Sequence, residues 1–572
     1  MERFIKEVIE IIKKRKPSKE NLAKIKLRLC RKYKLKKIPT DIELLLNAPS
    51  KEIQKIRKYL TTKPTRTISG VAVCAIMTKP IKCPHTKKGI GPCIMCPGGP
   101  DSYFGDVPQS YTGKEPATRR AIRNNYDPYL QVMNRLEQYV VQGHIPDKVE
   151  LIIMGGTFPS FQKRYKEDFI KYAFKAMNDF SELFFNKRGE IDIIKFKEFF
   201  ELPGNIFDKN RTKNIQKKLL KIKKKSKSEL EEEQKRNEKS NIRCVSLLIE
   251  TRPDYATLKH ANEMLELGCT KVEIGVQTIY DNILKKIRRG HTTEDSIRAT
   301  QILKDLGFKV GYHWMVGLPG MRKKEEIIAF AILFSSEYFR PDMLKIYPCM
   351  VLKGTKLYKE WKRKRYKPIT TKEAIKLISR LKSMVPEYVR ITRVQRDIPT
   401  YTREAGVDKT NLRQYIQEYM KKNNMKCRCI RCREAGHILR KKKIKPRIQI
   451  VTRHYLASGG NEFFISAEDL RNDILFGYCR LRFPYKFLRK EINEDSAIIR
   501  ELHIYSPIVQ IGKKSESSYQ HRGIGKKLLK VAEQTAKRYY KKKLVVIAGI
   551  GAREYFRKLG YKKEGPYMSK RL

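Results

Sequence analysis

The sequence has no apolar run approaching the roughly 18 residues that a membrane-spanning helix needs, so no such helix is expected. Its start, MERFIKEVIEIIKKRK, alternates charge with apolar residues at helical spacing where a secretory leader would carry an unbroken apolar core. A soluble, cytoplasmic protein without a membrane partner is the expectation. Acid is also scarce: 61 Asp and Glu against 125 Lys and Arg leave a formal charge of +64 over 572 residues. Surfaces of the thermophile kind enrich Glu alongside Lys, so this one-sided excess points to a polyanionic partner. Wholesale disorder is excluded by 40% hydrophobic and 10% aromatic content. The twelve cysteines do not scatter, since six fall in two tight groups. In a reducing compartment such groups indicate metal rather than disulfides.

Four parts are expected. Residues 1–65 read as short basic helices forming a nucleic-acid arm, with Phe4, Ile5, Val8, Ile9 and Ile12 on one apolar stripe and a capping-box spacing at Thr40 and Glu43. Residues 66–394 alternate apolar strands with amphipathic helices, which implies parallel strands in an α/β fold, either doubly wound or a full or partial barrel. Within them, 205–243 is rich in Lys and Glu and reads as a solvated insertion. Residues 395–449 form a cysteine-bearing linker, and 450–572 a compact α+β domain.

Cys83, Cys93 and Cys96 stand as C-x9-C-x2-C in a Gly- and Pro-rich loop after the first strand. Three thiolates there suit either zinc, with His85 or Cys74 as fourth ligand, or a [4Fe–4S] cluster with one iron left open. The ends of later strands decide between them, carrying Gly155, Gly156 and Thr157, then Glu250 with Arg252, then Gln277, then Gly317-Leu318-Pro319-Gly320. Glycines let backbone approach a ligand while Glu250 and Gln277 bind hydroxyl or amino groups, a constellation suited to S-adenosylmethionine. The second group, Cys427, Cys429 and Cys432 with His437 five residues on, has the density of a closed structural zinc site.

Near the C-terminus, Gln520, His521, Arg522, Gly523, Ile524 and Gly525 form Q-x-x-G-x-G at a strand-to-helix turn, where backbone N–H groups can hold a pyrophosphate. An edge strand with Glu501, Leu502 and His503 precedes it, and YFRKLGY follows. That order resembles the GCN5-related N-acetyltransferases (GNAT). The resemblance implies that these residues bind acetyl-CoA, that Tyr555, with Phe556 beside it, faces the thioester sulfur, and that Glu501 is a candidate general base.

CPHTKKGIGPCIMCPGGP, GGTFP, IETRPD, GVQT, RRGH and GLPG stand in one order along the chain. In that order they resemble the radical S-adenosylmethionine domain of the Elongator catalytic-subunit family. The resemblance implies a partial (βα) barrel, a zinc-bearing linker and a C-terminal GNAT domain. The expected reaction is carboxymethylation at C5 of the wobble uridine in a tRNA anticodon stem-loop, using acetyl-CoA and a 5′-deoxyadenosyl radical. The cluster then needs an electron donor, and further Elongator-type subunits are candidate partners. Lys345 and Tyr347, and Arg396 with Asp397, are candidates to position the thioester or the base. Basic stretches at 285–291, 359–367, 440–447 and 537–543 fit the RNA. The rival reading is a protein lysine acetyltransferase whose iron–sulfur barrel is a scaffold.

Overall fold

A computed structural model describes residues 1–205, 208–440, 444–505 and 523–572. No helix among them is long and apolar enough to cross a membrane. The N-terminal helices Glu2–Arg15, Lys19–Lys32, Asp41–Asn47 and Ser50–Leu60 bury the stripe of Phe4, Ile5, Val8, Ile9 and Ile12 in a core of their own. The capping box forms as its spacing requires: Thr40 Oγ1 accepts from Glu43 N–H at 3.1 Å and Glu43 Oε2 from Thr40 N–H at 2.6 Å.

Seven strands follow: β1 (Ala72–Met77), β2 (Lys148–Met154), β3 (Arg243–Thr251), β4 (Lys271–Gln277), β5 (Lys309–Val316), β6 (Met343–Pro348) and β7 (Arg390–Arg393). They pair in chain order, every neighbour parallel. A doubly wound sheet would reverse its order at a switch point, so this is the barrel alternative. Among the described residues β1 and β7 do not pair, which leaves the barrel partial. Every residue of β4 and β6 is buried, as parallel strands covered on both faces must be.

The described residues of 205–243 are not a solvated insertion. Helices Lys209–Lys225 and Leu230–Lys239 pack on the barrel, and Glu233 and Asn237 are fully buried. Ile215 and Leu219 enter the barrel's core, and Asn237 donates to Asn178 at 2.8 Å and Asn178 to Glu233 at 2.8 Å, so polar pairing supplements the few apolar contacts.

The C-terminal sheet contains β8 (Gln449–Ala457), β9 (Gly460–Asp469), β10 (Ile474–Phe483), β11 (Ser496–Ile504), β12 (Lys543–Val546), β13 (Lys562–Glu564) and β14 (Tyr567–Arg571), ordered β8-β9-β10-β11-β12-β14-β13. Its β11 packs against the floor of the barrel, where the parallel strands begin. Arg500 is bidentate to Asp342, just before β6, at 2.8 and 2.8 Å, and also donates to Glu462 at 2.8 Å. Arg480 stands 3.3 Å from Asp342, and Arg482 donates to Asp305 at 2.9 Å. Asp342 and Arg482 are fully excluded from solvent, so each charge depends on its partners. Asp342→Ala leaves several buried cations short of a counter-charge, and should destabilise the folded chain by about 3–5 kcal/mol, read as an earlier urea midpoint.

Two candidate cofactor sites at opposite ends of one barrel

The cysteine loop leaves the C-terminal end of β1 and folds over the barrel mouth. Cys83, Cys93 and Cys96 line one cavity there with Gly156, Thr157, Glu250, Gln277, Tyr347, Arg396 and Asp397. Gly155 does not line it: its bare Cα faces β1, where a Cβ would stand 2.4 Å from Thr78 Oγ1. Gln277 holds a left-handed φ of 70°, a costly conformation for a side chain and one typical of functional sites. The three sulfurs do not all lie within 4.8 Å of one another. One zinc at about 2.3 Å from each sulfur would hold them closer, so the spread suits a polynuclear centre. Of the two candidate fourth zinc ligands, Cys74 is buried in the core of the sheet, while His85 turns Nε2 to Asp254 Oδ2 at 2.6 Å and packs Nδ1 on Gly290. The donor set thus fits a cluster with one open iron.

Below the mouth, the interior is charged where barrels usually carry branched apolar layers. Lys345 Nζ is 2.5 Å from Glu250 Oε1 and also pairs with Glu273, which lies 3.1 Å from His313 Nε2. Tyr111 donates to Glu250 at 3.3 Å. Burial alone would lower the Lys345 ammonium pKa, but Glu250 and Glu273 raise it well above the usual lysine range. Lys345 is therefore a locked cation beneath the cavity rather than a group free to seat a thioester. Burial pushes the Tyr347 phenol up to about 12, so at the cavity wall it stays a proton donor.

The second cavity lies at the barrel floor. β11 and β12 pair only from Ser496↔Lys543 to Ile499↔Val546, while β11 runs on to Ile504. The strands part there, and the gap is lined by Glu501, Leu502, His503, Gly523, Gly525, Tyr555 and Phe556. Gly523 caps the helix Ile524–Arg538 with φ 81°, and a Cβ on Gly525 would stand 3.0 Å from Tyr555 Oη. Tyr555 is protonated, its pKa pushed up to about 12 by burial. His503 is lowered to about 4 by burial and is neutral at pH 7. Ile524 turns into the domain core instead of the gap. Gln520, His521 and Arg522 lie outside the described residues.

Glu501 does not suit a general base. Burial would raise its pKa, but Lys309 at 2.6 Å and Arg480 at 3.1 Å hold it far below the usual carboxylate range. It anchors β11 to the barrel. The other wall of this cavity comes from the first residues of the barrel strands, including Lys148, Glu150, Ser246 and Lys271. The same β4 thus reaches one cavity at Lys271 and the other at Gln277, about 20 Å apart at ~3.3 Å per residue.

In the linker, the sulfurs of Cys427, Cys429 and Cys432 lie within 4.8 Å of one another, close enough for one small ion. His437 is not in that group, and its Nε2 is 3.8 Å from Glu434 Oε2, which corrects the expected ligand set. The sequence reading also missed Glu273, His313 and Arg289. The signal for Glu273 was present, because Lys271, Glu273, Gly275 and Gln277 alternate along one face of a strand that is otherwise apolar.

Family profiles match four segments: an ELP3 N-terminal domain over 1–68, the radical SAM superfamily over 211–331, a radical SAM C-terminal domain over 341–422 and an acetyltransferase (GNAT) domain over 515–571. Elongator complex protein 3 of Danio rerio is 38% identical over 556 residues, covering 96% of this chain and 93% of its own length. This chain belongs to the Elongator complex protein 3 family. A tRNA uridine(34) acetyltransferase of Methanocaldococcus infernus is 48% identical over 539 residues, 93% of this chain and 92% of that protein. The solved structure of an archaeal Methanocaldococcus infernus Elp3 lacking residues 1–46 superposes with a TM-score of 0.70 at 42% identity, covering 88% of this chain and all of that one. Membership confirms the expected radical SAM partial barrel followed by a GNAT domain. In this member of the Elongator complex protein 3 family, Gly525→Val would fill the space before Tyr555. Calorimetry should show acetyl-CoA binding at least about tenfold weaker, or 1.4 kcal/mol, with the circular dichroism unchanged.

Proposed function

We propose that the chain is a tRNA-modifying enzyme that places a carboxymethyl group on C5 of the wobble uridine, with both cavities serving one reaction. The observation that carries this reading is the shared set of strands, whose first residues wall the GNAT cleft and whose ends carry the cysteine-lined cavity. Cys83, Cys93 and Cys96 would hold a [4Fe–4S] cluster, and Gly156, Thr157, Glu250 and Gln277 would hold S-adenosylmethionine. When bound, and given one electron by an external donor, these would supply a 5′-deoxyadenosyl radical able to take a hydrogen atom from the acetyl methyl group. The carbon radical adds to C5 of uridine. Loss of one electron to a one-electron acceptor, loss of the C5 proton and hydrolysis of the thioester then leave the carboxymethyl group.

The protein's own part is binding, orientation and exclusion of water. Leu502, His503, Gly523, Gly525 and Tyr555 would seat acetyl-CoA, the Tyr555 hydroxyl facing the thioester. Tyr347, Arg396 and Asp397 at the upper cavity would receive the uridine. Exposed Tyr103 and Tyr401, 62% and 75% accessible, offer stacking faces for bases near the barrel mouth, and the +64 charge offers the phosphate contacts. The tRNA uridine(34) acetyltransferase name of a relative 48% identical supports the same substrate. The three linker thiols would hold a structural zinc that closes the segment between barrel and GNAT domain. Protein lysine acetylation finds less support, since Glu501 is locked in ion pairs and the cleft opens against the barrel floor.

The reading is tested by anaerobic incubation of reconstituted protein with tRNA, acetyl-CoA, S-adenosylmethionine and a reductant, followed by nucleoside mass spectrometry. 5-Carboxymethyluridine should form only with every component present, and should vanish in Cys96→Ala. Acetylated histone as the sole product, or equal product from Cys96→Ala, contradicts it.

A further inference from the structure

Residues 287–291 lie against the cysteine loop through three contacts. Ile94 N–H donates to Ile287 O at 3.1 Å, and Arg288 donates to Gly89 O at 2.9 Å. Gly290 packs so tightly on His85 that a Cβ would stand 2.0 Å from Nδ1. Between these contacts Arg289 places Nη1 3.6 Å from Cys93 Sγ, while Nη2 and Nε donate to Gly275 O at 2.8 and 3.3 Å. A Cβ at position 275 would stand 2.3 Å from Arg289 Nη2, so any side chain there displaces the guanidinium.

Charge pairing singles out Arg289. Its neighbour Arg252 is paired with Asp254 at 3.1 Å. Among the described residues no carboxylate lies within 4.0 Å of Arg289. This part-buried guanidinium, with no carboxylate in ion-pair reach, has Cys93 Sγ as its nearest anionic partner once the thiol is a thiolate. An iron–sulfur cluster on thiolates is such an anion, and a cation near it favours the reduced state, which carries one more negative charge.

We propose that Arg289 is a positioning residue for the cluster: it orients Cys93 through an N–H···S bond and, as a fixed positive charge, raises the reduction potential of the centre. This rests on the assignment of Cys83, Cys93 and Cys96 as cluster ligands. Arg252, itself paired with Asp254, lines the same cavity and also bears on Cys93, while Gly275 provides the seat of Arg289.

The test is a reductive titration of the reconstituted full chain, followed by electron paramagnetic resonance of the reduced cluster. Arg289→Gln should lower the reduced-to-oxidised ratio at a fixed solution potential about tenfold, a midpoint 59 mV more negative for one electron. Arg289→Lys, which keeps the charge, should recover at least half of that shift. Gly275→Ala, which keeps the arginine but displaces its head group, should shift in the same direction as Arg289→Gln. An unchanged midpoint in Arg289→Gln with full iron content overturns the proposal, as does an equal shift in Arg289→Lys. Should Arg289→Gln load no iron, an unchanged midpoint in Gly275→Ala overturns it. Absence of a reducible cluster in the unaltered chain would instead remove the cysteine assignment itself.

Discussion

Everything else in this molecule depends on a knot of buried charge at the barrel floor. Asp342, fixed at the start of a parallel strand, takes both arms of Arg500 from the C-terminal sheet, while Arg480 and Lys304 stand 3.3 and 3.8 Å away. Charges without water tolerate little displacement, because each loses its compensation within a few tenths of an ångström. The GNAT sheet is therefore held in one orientation, with the parting of its β11 and β12 strands set directly beneath the barrel. A hydrophobic interface of equal area would bind as firmly but would specify the orientation less. Here the polar knot determines which face of one domain meets the other.

That orientation puts the two cavities on one axis. Between them lies a column of paired side chains, Lys271 with Glu150 at 2.5 Å and then Lys345 with Glu250 at 2.5 Å, the latter ammonium also paired with Glu273. Polar pairs inside a barrel contribute less stability than the apolar layers they replace, so their presence indicates a use. They keep Lys345 and Glu273 in fixed ionic states.

Much of this was legible in the residues. Alternating strands and helices fixed a parallel α/β architecture, and the cysteine spacing with the Gly- and Glu-bearing strand ends marked the upper cavity before any coordinates. The turn before Gly523 marked the lower one. What escaped the sequence has a physical cause in each case. The 205–243 stretch reads as solvated because large apolar residues are few, yet Ile215 and Leu219 reach the core and Asn178, Asn237 and Glu233 add hydrogen bonds that composition does not reveal. Gly155 and Gly156 are adjacent and equivalent in sequence, but strand geometry turns one toward Thr78 and the other into the cavity. Glu501 occupies the place of a catalytic base, and only the long-range partners Lys309 and Arg480 disqualify it. His437 has suitable spacing, but the backbone turns it toward Glu434.

The claim that two cavities serve one reaction is tested most directly by atom transfer. Acetyl-CoA carrying a fully deuterated methyl group, incubated anaerobically with the reconstituted chain, reductant, S-adenosylmethionine and tRNA, should yield 5′-deoxyadenosine containing one deuterium. 5′-Deoxyadenosine formed at the same rate without deuterium would show that the radical never meets the acetyl group, and that the two domains act apart.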